Sequence, residues 1–154
     1  MKTPILVTIL LTAAFNPLIA QQPAPAKPPV GLPADAKLFN GKWYRVYLEA
    51  TPWKGAKTKC ERLGGQLAVV PDEPTHVFVR QLSKDLELWL GGFEKLEGLW
   101  QWVDGTPMNF KGWARTQPDA GRGLQMLKTW RGGWGDTENT DPAVIGYICE
   151  WKAR

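Results

Sequence analysis

Residues 146–151, Gly146-Tyr147-Ile148-Cys149-Glu150-Trp151, form a short apolar run opened by a glycine, the pattern of a buried strand. Cys149 within it is one of only two cysteines in 154 residues. The other, Cys60, belongs to the series Trp53, Ala56, Cys60 and Leu63, spaced by three or four residues, which places it on the buried face of an amphipathic helix. Thr51-Pro52 supplies that helix with a hydroxyl N-cap and a first-turn proline, and Gly64-Gly65 ends it. In an exported chain, an internal disulfide from this helix to the last strand is the natural reading; two free or intermolecular thiols are the competing one. A bridge closing so long a loop contributes about 4 to 5 kcal/mol on the chain-entropy account.

Working outward from this pair, Trp43 to Glu49 alternates with the period of a half-buried strand, with Tyr44, Val46 and Leu48 on one face. Gln66 to Val70 reads as a short apolar strand. Asp72 to Ser83 reads as a second helix, capped by Asp72 or Thr75 and burying Val77, Phe78 and Leu82. Beyond it the helical period stops, and Leu88 to Leu90, Leu99 to Val103 and Leu124 to Thr129 read as short strands between Gly-, Pro- and Asp-containing turns. Asp104 to Gly123 has little regular pattern. A loop of that length inside a compact domain is usually functional when ordered, so the site is expected there.

The amino terminus is basic at Lys2, apolar from Ile5 to Phe15 and closed by Leu18-Ile19-Ala20, which predicts a secretory signal over 1–20. Asn16 and Pro17 interrupt the run and disfavour a membrane anchor, so no span is expected after cleavage. Residues 21–37 are rich in Pro, Ala and Lys and read as an extended spacer; 38–154 read as one folded domain. The product is then secreted, to an extracellular space or a periplasm. A formal charge of +4, from 19 Lys and Arg against 15 Asp and Glu, falls to +3 with Lys2 removed and is too scattered for a nucleic-acid surface. The single His and the absence of a nucleotide-binding motif leave no inventory for an enzyme.

Six motifs, in order, resemble those of the C-type lectin-like domain across nearly the whole of 38–154. They are Trp53 to Leu67 with its Gly64-Gly65 turn, Trp89-Leu90-Gly91-Gly92, Trp100 and Trp102 with Asp104-Gly105, Phe110 and Trp113 with Gln117-Pro118-Asp119, Trp134-Gly135-Asp136, and Tyr147-Ile148-Cys149-Glu150. The resemblance implies an α+β fold, with two helices flanking two small antiparallel sheets and a long ligand-binding loop. The family's second, loop-stabilising disulfide has no counterpart here, a feature that resembles bacterial members. Packing of Trp113 and Trp134, or a bound ion, is expected to hold the loop instead.

The resemblance also implies a site in which Ca2+ and a sugar share oxygen ligands. Gln117, Asp119 and Asp136 fall on matching positions, as candidate metal ligands and as candidate sugar contacts, around a proline that the family places in a cis peptide. Two positions depart from the pattern: Gly135 replaces an Asn, and the expected Glu falls on Leu124 or Gln125. Glu138, Asp141, backbone carbonyls or waters would have to complete a calcium shell. Trp130, in the turn that follows, is a candidate stacking ring or a plug for the loop, and His76 has no Cys or His partner at metal spacing. The expected partner is a carbohydrate or glycoconjugate, of galactose type by the "QPD" resemblance. The alternative is a calcium-independent module for an extracellular protein partner or a structural role.

Overall fold

The computed structural model describes residues 26–119, 121 and 123–153; the predicted signal over 1–20 lies outside them. In chain order the elements are β1 (Lys37–Phe39), β2 (Lys42–Tyr47), α1 (Trp53–Arg62), β3 (Gln66–Leu67), α2 (Glu73–Ser83), β4 (Leu88–Leu96), β5 (Leu99–Trp102), β6 (Met126–Trp130), β7 (Gly133–Thr137) and β8 (Gly146–Lys152). The strand carrying Cys149 is central. β8 pairs antiparallel with β2 and β3, and parallel with β4 through Leu88↔Gly146 and Trp89↔Tyr147. This short parallel contact joins what the resemblance implies are two antiparallel sheets into one mixed sheet, β1-β2-β8-β4-β6-β7, with β5 attached to β4.

The Cys60–Cys149 disulfide ties α1 to β8 across a Cα–Cα distance of 5.6 Å, and both residues are fully buried. Trp53 and Ala56 share their face of α1, whereas Leu63, expected there too, follows the last helical turn and is 47% exposed. The N-terminus of α1 is capped differently from the sequence expectation. Thr51 makes no side-chain cap; the backbone N–H groups of Trp53 and Lys54 donate to the carbonyl and Oδ1 of Asn139, at 2.9 and 3.0 Å. A loop far along the chain thereby satisfies two of the donors that any helix start leaves open.

In α2, Asp72 is the cap and accepts from the Thr75 N–H at 2.9 Å. The helix is rotated from the expected phase: Thr75, His76, Val79 and Ser83 are buried, Phe78 and Leu82 pack at the margin, and Val77 is exposed. The wall that α2 meets is aromatic. Trp100, Trp102 and Trp134 are buried beside it, with Phe110 and Trp113 packed against them. A second cluster, of Trp43, Trp53, Trp89 and Trp151, surrounds the disulfide on the other side of the sheet.

Two strands escape the sequence pattern. β1 is short and immediately follows the Pro-rich segment, from which Ala36 is buried and Leu32 packs against the second cluster. β7 has two glycines in five residues, a composition that reads as a turn, yet it pairs with β6 along its full length.

Candidate functional site

β7 positions the site. Trp134 is 1% exposed and meets Trp102, Phe110 and Trp113 edge to face at 5.5 to 6.0 Å between ring centroids. Its backbone holds the long loop: the Ala114 N–H donates to the Trp134 carbonyl and the Trp134 N–H to the Gly112 carbonyl, each at 2.9 Å. The loop is therefore fixed by tryptophan packing and a short backbone bridge, one of the two devices expected in place of a second disulfide.

Beyond Ala114 the chain turns through a Gln117 N–H to Ala114 carbonyl bond of 3.0 Å and enters a cis Gln117–Pro118 peptide. The three residues matched by the resemblance meet here. Gln117 Oε1 accepts from the Asp136 N–H at 3.1 Å, and Asp136 Oδ1 accepts from the Asp119 N–H at 3.0 Å. Asp136 is 7% exposed and serves as the brace. Asp119 is exposed, and Gln117 is half-buried with its oxygen committed, so its Nε2 is the amide group left to face a ligand. The loop thus carries an exposed carboxylate residue, Asp119, two positions from a half-buried amide residue, Gln117.

Trp130 stands at the end of β6 and is half-buried. A Cβ on Gly135 would lie 3.1 Å from Trp130 Cβ and 3.2 Å from Gln117 Oε1, so Trp130 occupies the space that a side chain at 135 would need. Its ring is not bare: Lys128 Nζ and Arg131 Cζ each lie 4.8 Å from its centroid, within cation–π range. Lys128 is itself buried, and its ammonium donates to Glu87 Oε2 and Asp141 Oδ2, both at 2.7 Å. Sequence reading passed over this cluster because its three members are far apart in the chain.

The donors present do not make up the calcium shell that the resemblance implies. Calcium takes six to eight oxygens. Gly135 has no side-chain oxygen and is crowded by Trp130 and Gln117, Leu124 is apolar, and Gln125 is buried, with its N–H donating to Glu94 Oε2 at 3.0 Å and its Nε2 to the Gly123 carbonyl at 2.8 Å. The oxygens of Gln117 and Asp136 named above already accept backbone N–H bonds, and among the described residues no three His, Cys, Asp or Glu converge on a metal position.

His76 lies behind the site, against Phe110 and Trp134 at 5.7 and 5.5 Å. A cavity of about 760 Å³ is lined in part by Leu32, Gly64, Gln66, Glu150 and Trp151, and none of Gln117, Asp119, Trp130 or Asp136 borders it.

The family profile described as "Lectin C-type domain" matches residues 49–151. The chain is 43% identical over 77 residues to the type-2 ice-structuring protein of Hemitripterus americanus, covering 48% of this chain and 47% of that one. It is 31% identical over 117 residues to the hepatic lectin of Gallus gallus, covering 73% of this chain and 56% of that one. The chain thus spans less than two thirds of either relative. Neither is bacterial, so the bacterial likeness read from the single disulfide is not supported. Among solved structures, a mouse scavenger receptor C-type lectin carbohydrate-recognition domain superposes with a TM-score of 0.71 at 25% identity, over 80% of this chain and 98% of that one. A calcium-independent type II antifreeze protein superposes with a TM-score of 0.70 at 26% identity, over 80% and 95%. These relatives are lectins and antifreeze proteins rather than enzymes, in agreement with the residue inventory.

Proposed function

From the premise that the chain belongs to the C-type lectin domain family, we propose that it is a secreted glycan-binding module that reads its sugar by direct hydrogen bonds, without calcium. The observation that carries this reading is the pair of side-chain to backbone bonds joining Gln117, Asp119 and Asp136. They fix the backbone at Asp119 and the amide of Gln117 on the same loop, two residues apart. Vicinal hydroxyls of a galactose-type sugar match that pair: one hydroxyl donates to Asp119 and its neighbour accepts from Gln117 Nε2. Trp130, its ring covered by Lys128 and Arg131, acts as a plug behind Gln117, and Asp136 acts through the backbone of the loop. Each hydrogen bond to the carboxylate contributes roughly 1.5 to 3 kcal/mol, which makes Asp119 the residue whose loss is felt most. In a chain with no helix among its described residues long and apolar enough to cross a membrane, the predicted signal directs the module outside the cell.

The test is binding of the disulfide-intact chain to galactose and mannose conjugates in millimolar calcium and in EDTA. Binding that ignores EDTA and falls at least tenfold in Asp119→Asn supports the reading. Binding that requires calcium returns the family's metal site to consideration, and binding indifferent to Asp119→Asn moves the sugar elsewhere. No binding to any conjugate favours the protein-interaction or structural alternative, for which the likeness to a calcium-independent antifreeze protein speaks.

A further inference from the structure

Among the described residues, Asn40, Lys84, Asp85, Thr116 and Arg131 hold the left-handed backbone without being glycine. Asn40 and Arg131 each share a hairpin turn with a following glycine, Lys84 is the C-cap of α2, and Asp85 is of a type that tolerates this region. Thr116, with φ of 71°, alone is β-branched, and for such a side chain a positive φ is a steric outlier. The Gln117 N–H donates to the Ala114 carbonyl at 3.0 Å and closes a turn over 114–117. Thr116 is its third residue, a position that with positive φ ordinarily holds glycine or asparagine.

β7 imposes this conformation from both sides of the turn. The Ala114 N–H donates to the Trp134 carbonyl at 2.9 Å, and the Asp136 N–H donates to Gln117 Oε1 at 3.1 Å. Thr116 sits between those two anchors, so relaxing its backbone would disturb one of them. The threonine side chain gives nothing to the fold in return. It is exposed, and among the described residues its hydroxyl makes no hydrogen bond. Glycine would keep the same turn and both anchors without the clash.

Backbone strain that the surrounding structure fixes and the fold does not use marks a residue kept for what it touches outside the chain. Resting on the glycan reading above, we infer that Thr116 contacts the sugar directly and helps to set its specificity. It immediately precedes Gln117, and its hydroxyl both donates and accepts, whereas an ionised Asp119 only accepts and Gln117 Nε2 only donates. The stretch 116–119 therefore addresses three hydroxyls rather than two. The sugar that fits carries a third ring hydroxyl contiguous with the vicinal pair, which in galactose is the one at position 2 when the pair is at 3 and 4.

The experiment compares binding of the disulfide-intact chain to albumin conjugates of galactose and 2-deoxygalactose, with Thr116→Val, Thr116→Ser and Thr116→Gly beside the parent, and records the melting temperature of each. The expected result is a preference of the parent for galactose of about fivefold, the value of one neutral hydrogen bond. Thr116→Val, which keeps the branched side chain and loses the hydroxyl, should melt with the parent and bind both conjugates alike. Thr116→Ser should keep the preference. Thr116→Gly should lose it and melt a few degrees higher, because the clash is gone. The loss of discrimination in Thr116→Val is the decisive reading, since a merely structural threonine would not move it. Binding by the parent without a preference, or a preference that survives in Thr116→Val, overturns the inference while leaving the glycan reading intact. A Thr116→Gly chain no more stable than the parent also overturns it, because the strain is then not there to be explained. Absence of binding to both conjugates removes the glycan reading and the inference with it.

Discussion

His76 Nδ1 and Trp134 Nε1 are both buried without a hydrogen-bond partner, in rings set edge to face with centroids 5.5 Å apart. A Cβ on Gly112 would fall 2.7 Å from that His76 nitrogen, so the loop backbone is pressed against the imidazole. Burial holds the His76 pKa below its ordinary value, assisted by the positive charge of Arg80 and opposed by Glu73. The neutral ring is the native form. In the unfolded chain the imidazole titrates near pH 6.5, so the contribution of this group is complete above that pH and is lost as the pH falls towards the folded value. The melting temperature should therefore drop between pH 7 and 5, above the range where carboxylates titrate, and the drop should be smaller in His76→Leu. A pH profile identical in the two proteins would exclude the role.

Restoring the family's asparagine at position 135 should destabilise the domain without creating a metal site. The added side chain would press on Trp130 and Gln117 Oε1. Overpacking of this kind costs about 1 to 3 kcal/mol, read as a lower urea midpoint for Gly135→Asn. Combining it with Trp130→Ala should recover part of the loss, since the two changes share one contact. Calcium should leave the melting temperature of Gly135→Asn unchanged; an upward shift would show that the donor set was one oxygen short.

Asn139 ties the loop before β8 to the start of α1 by two hydrogen bonds. Asn139→Ala should cost about 1 kcal/mol, the usual value of an N-cap, and should speed amide hydrogen exchange at Lys54. Thr51→Ala should leave that exchange rate unchanged, because the Thr51 hydroxyl makes no cap.

Among the described residues of the site region, Lys128 is the one buried ammonium. Burial pushes its pKa down, but hydrogen bonds to Asp141 and Glu87 outweigh burial and hold it above the ordinary value. The same contact keeps the Asp141 carboxyl below the usual range against the effect of its own burial, helped by the Ala143 N–H and the Thr137 hydroxyl. Lys128→Met leaves two carboxylates facing each other and should cost about 3 kcal/mol, with Asp141→Asn in the same chain recovering part of it. The pair's contribution is present above the ordinary carboxylate pKa and is lost as the pH falls through the depressed value of Asp141.

The sequence revealed what short-range pattern encodes. α1 was readable from the spacing of Trp53, Ala56 and Cys60, the Asp72 cap from its place before an apolar run, and β5 and β8 from apolar runs between turn residues. β7 was hidden because Gly133 and Gly135 match a turn, although their smallness answers to Ala114 and Trp130 packed above them. The phase of α2 was misjudged because Val77 and Val79 are equally apolar, and only the tryptophan wall selects the second. At the site, the resemblance brought Gln117, Asp119 and Asp136 together, but which oxygen each backbone N–H would claim depends on a fold that no local pattern carries. Asn139 and Lys128 were invisible for the same reason, since their partners lie up to 85 residues away.

The sheet path runs from β1 at one edge to β7 at the other, and the Ala153 N–H donates to the Gly41 carbonyl, so the two ends of the folded domain emerge together at the edge opposite Asp119 and Trp130. If Asp119 and its neighbours read a glycan as proposed, attachment at either end leaves that face unobstructed. Several copies strung on a common stalk would all point their faces outward, and a weak grip on a single sugar would become a firm hold on a surface densely coated with them, by the raised local concentration of the second contact once the first is made.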